Sequence, residues 1–119
     1  MSIVLATARP EALAGFTKAL ADATGQDVAV APSGAVTLEW VAAKAPALVV
    51  VDEGLPDHKP LDLVREIMMV SAMTLTAVIT AMAEEEFHEE AEGYGVLMPL
   101  PPDPTPADGV ELARRMSGI

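Results

Sequence analysis

The segment Asp52-Glu53-Gly54-Leu55-Pro56-Asp57 follows the longest continuous aliphatic run of the chain and presents carboxylates where that run ends. His58 adjoins it, but no serine or cysteine nucleophile stands beside His58 in a known arrangement, so it is assigned no catalysis. A second group of candidates is the acidic stretch Glu84, Glu85, Glu86, Glu89, Glu90 and Glu92, which encloses His88. His88 and Glu92 stand at i, i+4 spacing, a pairing that can hold a metal, but carboxylates on an acidic helix mainly face water, and no metal site is expected. Met68, Met69 and Met73 offer either an adaptable binding surface or core filling, and the core is the preferred reading. The chain has no cysteine, which excludes a thiolate metal site, a cysteine nucleophile, a disulfide framework and a thiol redox switch. Ala6-Thr7-Ala8-Arg9-Pro10 contains no Gly-rich phosphate cradle, which disfavours a nucleotide-binding enzyme.

The elements that must carry these residues alternate regularly. Ile3 to Ala6 reads as a buried strand, and Pro10 opens a stretch in which Leu13, Phe16 and Leu20 recur at helical spacing up to Gly25. Val28 to Ala31 is a second strand, followed by a helix with Val36, Trp40 and Ala43 on one side. Ala47 to Val51 is suited to the centre of a parallel sheet covered on both faces and ends at Asp52. A helix over Leu61 to Val70, a strand over Thr74 to Thr80 and an acidic helix from about Ala83 to Glu92 come next. Val96 to Met98 is a short fifth strand, and Thr105, Pro106 and Asp108 form a helix start with an approximate capping box. Five strands alternating with five helices imply a flavodoxin-like α/β fold, a parallel sheet of order 2-1-3-4-5 between two helical layers. Ligands in such sheets bind at the carboxyl ends of the strands, so the informative loops follow Ala6, Asp52, Thr80 and Met98.

Composition narrows the function classes. The chain has 119 residues, 51% of them hydrophobic and 21% charged, as expected for a single domain over residues 1–119. No apolar run approaches the roughly 18 residues of a membrane span, and no basic leader precedes Ile3, so a cytoplasmic protein is expected. A net charge of −11 repels phosphate backbones and anionic lipid, and aromatic residues at 3% are too few for base stacking. Neither nucleic acid nor a membrane is an expected partner; a protein is.

In this order the chain resembles the receiver domain of bacterial two-component response regulators, over nearly its whole length. Receivers carry a phosphoacceptor aspartate at the end of the third strand with a proline four residues later, as Asp52 and Pro56 stand here, and a Thr or Ser followed by a small residue after the fourth strand, as in Thr80-Ala81. The family's late Lys-Pro-Phe segment falls on Leu100, Pro101 and Pro102, followed by Asp103-Pro104. The resemblance implies that Asp52 is the phosphoacceptor candidate, that Thr80 is the switch candidate, and that the Leu100–Pro101 peptide bond is cis.

The departures matter as much. The acid pair that receivers place after the first strand is replaced by Thr7 and Ala8, the lysine by Leu100, and the aromatic switch residue by Leu97. Asp52 and the Gly54 carbonyl alone make a poor magnesium site, weak at best, and the missing lysine removes a second positive charge from a transferred phosphoryl group. Arg9 either reaches Asp52 as a permanent counterion or is a solvated arginine, and the solvated state is the favoured expectation. The resemblance thus implies a degenerate receiver, not an enzyme and without a cofactor. Its expected mode is phosphorylation-independent docking to a protein, whether a histidine kinase, an output domain or a second copy, through the fourth helix, fifth strand and fifth helix. A working receiver phosphorylated on Asp52 by a histidine kinase is the alternative.

Overall fold

A computed structural model describes residues 2–118; Met1 and Ile119 of the expected domain lie outside the described residues. The chain runs β1 (Ile3–Ala6), α1 (Ala14–Thr24), β2 (Val28–Ala31), α2 (Gly34–Lys44), β3 (Leu48–Val51), α3 (Pro60–Val70), β4 (Leu75–Ile79), α4 (Glu84–Glu90), β5 (Val96–Leu100) and α5 (Pro106–Ser117). All strand pairs are parallel and the order is β2-β1-β3-β4-β5, the flavodoxin-like arrangement expected from the alternation.

The aliphatic runs become central strands because both faces of the sheet are covered. Alternate residues of β1 and β3 divide between two cores: Val4, Ala6, Val49 and Val51 join Leu63, Val64, Ile67 and Phe87, whereas Ile3, Leu5, Leu48 and Val50 join Leu13, Phe16, Leu20 and Leu112. α1 and α5 thus share one side of the sheet, and Gly109 lets them approach closely. A Cβ there would lie 2.7 Å from the Phe16 carbonyl oxygen, a contact no side chain tolerates. The Thr105 capping box is formed in full, with Pro106 in the first helical turn.

Several local expectations are corrected. Pro10 begins a series of turns and α1 itself starts at Ala14, although Leu13, Phe16 and Leu20 are buried as their spacing predicts. On α2, Val36 and Trp40 are half-buried and pack against the core on the expected side, but the fully buried residues are Gly34, Thr37 and Val41, and Ala43 is exposed. The methionines do not fill a core. Met68, Met69 and Met73 are 36%, 80% and 91% exposed, because α3 buries Leu63, Val64 and Ile67 and turns Met68 and Met69 outward, while Met73 lies in the turn that follows the helix. No described peptide bond is cis. Leu100–Pro101 is therefore trans, and the register that set Leu100 at the family's lysine loses that support.

Candidate functional site

The carboxyl ends of β1 and β3 lie side by side, with the Asp52 amide donating to the Ala6 carbonyl at 2.9 Å. This brings Thr7 and Asp52, both fully buried, against each other. Thr7 Oγ1 donates to Asp52 Oδ2 at 2.7 Å and accepts from the Arg9 amide at 3.0 Å, which turns the β1–α1 loop back over the site. The Arg9 side chain then reaches Asp52 with both arms of its guanidinium fork, Nε to Oδ2 at 2.9 Å and Nη2 to Oδ1 at 3.0 Å. The favoured expectation of a solvated arginine is overturned.

A fourth bond comes from the Glu53 amide to Oδ1 at 2.9 Å. An ionised carboxylate offers about four lone-pair positions, and all four are engaged. The bidentate geometry is the strong form of the contact, and Asp52 holds the Arg9 guanidinium above its ordinary pKa through hydrogen bonding and charge. Arg9 does more than neutralise Asp52. Its Nη2 also donates to the Pro102 carbonyl at 2.6 Å, and Nη1 lies 3.4 Å from Asp103 Oδ1, so one side chain fastens the β5–α5 loop to the end of β3.

Glu53 makes a second cross-loop contact, in which its Oε1 accepts from the Ala81 amide in the β4–α4 loop. Sequence reading missed it, since nothing local to Glu53 tells which loop it will meet. Removing this acceptor in Glu53→Ala is expected to speed hydrogen exchange at Ala81 several-fold, as a hydrogen bond worth about 1 kcal/mol is lost. Amide exchange followed by NMR checks this, and an unchanged Ala81 rate contradicts it.

The other candidates are placed as follows. Thr80 Oγ1 accepts from the Met82 amide at 3.0 Å, and no hydrogen bond joins it to Asp52 among the described residues. Ala8 is exposed and Leu97 half-buried. Leu100 is 2% exposed and belongs to the core beneath α1 and α5, with Ile3, Leu5 and Leu13. α4 ends at Glu90, so Glu92 falls outside the helix; His88 Nε2 instead lies 3.6 Å from Glu84 Oε1, in the open. Among the described residues no group of three metal-ligating side chains comes together.

The donor set around Asp52 does not fit a magnesium ion. A hard cation needs several oxygens with free lone pairs, and here the carboxylate is saturated while a permanent cation occupies its outer side. What the cluster can do chemically is hold loops together.

No protein-family model matches the chain, and no curated protein matches it. Solved structures do. The receiver domain of AraT, a response regulator from Geobacillus stearothermophilus, is 19% identical at a TM-score of 0.84, covering 98% of this chain and 92% of that one. The chemotaxis response regulator CheY4 of Vibrio cholerae is 21% identical at a TM-score of 0.82, with 98% of each chain covered. A CheY-like receiver domain protein from Methanospirillum hungatei is 18% identical at 0.79, covering 99% and 95%. At these identities the likeness establishes the fold, and its structural neighbours are receiver domains of response regulators.

Proposed function

We propose that this chain is a receiver-like module of two-component signalling that acts by docking to a protein, without phosphorylation of Asp52. The observation that carries this reading is the saturation of Asp52 by Arg9, Thr7 and the Glu53 amide. A carboxylate attacking phosphorus needs a free lone pair and a cation to gather the developing negative charge on the phosphoryl oxygens. Arg9, Thr7 and the Glu53 amide together take up the lone pairs, and neither Thr7, Ala8 nor Leu100 supplies the missing ligands or cation.

The docking face is assigned to α4, β5 and α5. β5 is an edge strand whose Val96, Leu97, Met98 and Pro99 are only half-buried. A groove of about 480 Å³ runs beside it, lined among others by Met82, Phe87, Leu97, Met98 and Arg115, with the acidic α4 on its rim. Arg9 and Glu53 hold the two loops that flank this face, so a fixed docking surface needs no covalent switch.

The test is intact-mass spectrometry after incubation with a small-molecule phosphodonor and magnesium. The expected result is no phosphate adduct. An adduct that disappears in Asp52→Asn overturns docking without phosphorylation and establishes a working receiver.

A further inference from the structure

Away from Asp52, the β3–α3 loop makes a second set of contacts that the docking reading does not use. Both oxygens of Asp57 accept from the start of α2, Oδ1 from the Gly34 amide at 2.8 Å and Oδ2 from the Ala35 amide at 3.0 Å. With Ser33 Oγ accepting from the Val36 amide at 3.2 Å, three of the helix's unpaired N–H groups are satisfied, two of them by a residue of a distant loop. His58 stands behind Asp57. Its Nε2 lies 2.6 Å from Glu66 Oε2 on α3, and its Nδ1 lies 3.1 Å from Asp57 Oδ1, off the line of a good hydrogen bond. The ring packs directly on Gly34, where a Cβ would come within 2.2 Å of Nδ1.

We propose that His58 is a pH-responsive clamp, which when protonated bridges Asp57 and Glu66 and so holds the start of α2 to the β3–α3 loop and to α3. An imidazole with carboxylates at both nitrogens can donate to both only as the cation. The neutral ring turns one lone pair toward a carboxylate and removes the positive charge that separates two negative ones. The groups around the ring are Asp57 from its own loop and Glu66 from α3, while Lys59, Asp62 and Arg65 line the adjoining recess. α2 brings the uncharged Gly34 and Ala35.

The carboxylates at the two nitrogens of His58 favour the charged ring. Asp57 raises the His58 pKa most, Glu66 adds to it, and partial burial opposes both. The Gly34 amide, then His58 and the Ala35 amide, pull Asp57 down to about 2. Because the histidine value is raised on folding, its contribution is complete below the ordinary value of about 6.5 and is lost as pH rises through the folded value. For Asp57 the contribution is present above about 4 and is lost as pH falls toward 2.

The experiment is a pH titration from 5.5 to 9 by NMR on the full chain, following the His58 ring and the Gly34 and Ala35 amides. The two amides are expected to shift with the midpoint of the His58 ring, and the transition is expected to vanish in His58→Gln. Glu66→Gln, which alters a partly exposed side chain, is expected to lower the His58 midpoint. Gly34 and Ala35 amides that stay flat through the His58 midpoint, or a midpoint unmoved by Glu66→Gln, overturn the clamp. Should His58→Gln not fold, the Glu66→Gln titration decides alone.

Discussion

Arg9→Ala is expected to destabilise the domain by about 2–3 kcal/mol, lowering the melting temperature by about 10 °C. Breaking a fully buried ion pair by removing one partner costs about 3–5 kcal/mol, because the remaining charge is buried without compensation. Asp52 is fully buried, which argues for the whole penalty, but the Arg9 side chain is 37% exposed, and water entering its space screens part of it. Denaturant unfolding checks the figure. A loss below about 0.5 kcal/mol, as for an ordinary surface arginine, contradicts the assignment of Arg9 as the Asp52 counterion.

The same reasoning fixes how neighbouring variants behave. Arg9→Lys is expected to recover only part of the loss, since an ammonium cannot reproduce two parallel bonds to Asp52 while also meeting the Pro102 carbonyl. Asp52→Asn on its own leaves an arginine that can turn to solvent, a milder defect. Added to Arg9→Ala, it is expected to restore stability by about 1–2 kcal/mol, because no uncompensated charge is then buried. A double-mutant cycle in which the two changes simply add speaks against a direct pair.

The order of elements was legible because central parallel strands are buried on both faces and show as short aliphatic runs, of which Leu48–Val51 is the clearest. The α2 stripe is legible only in part: Val36 and Trp40 do meet the core, but its fully buried residues include Gly34 and Thr37, which hydrophobic periodicity weights lightly. Met68 and Met69 misled for the opposite reason, since apolar character alone does not tell which face of α3 meets the sheet. At the site, Asp52 was readable from its place at a strand end. Its partnership with Arg9 was not, because it depends on the path of the β1–α1 loop, which Thr7 sets through the Arg9 amide. Glu53 and Asp57 were less legible still: each contacts a backbone amide more than twenty residues away, where side-chain type leaves no trace in the partner's sequence.

If Arg9 stands in for a cation, restoring carboxylates without removing it is expected to give little metal binding. Thr7→Asp with Ala8→Asp places new acids beside Asp52, one of them at a position whose side chain lies 2.7 Å from its oxygen, yet the guanidinium remains to neutralise them. Adding Arg9→Ala leaves crowded carboxylates around a fully buried Asp52, so this triple variant is expected to be less stable than Arg9→Ala without a divalent ion. Magnesium at about a hundred times its dissociation constant stabilises a one-site protein by about 2.7 kcal/mol, or about 10 °C in a domain of this size. Thermal unfolding with and without magnesium chloride is therefore expected to show a large shift for the triple variant, a small one for the double variant and none for the parent chain. A magnesium response in the double variant equal to that of the triple would show that Arg9 does not guard the site. No response in a folded triple variant would mean that removing Arg9 and its contact with Pro102 does not reopen the site, and that the loops themselves hold the new carboxylates out of reach of a shared cation.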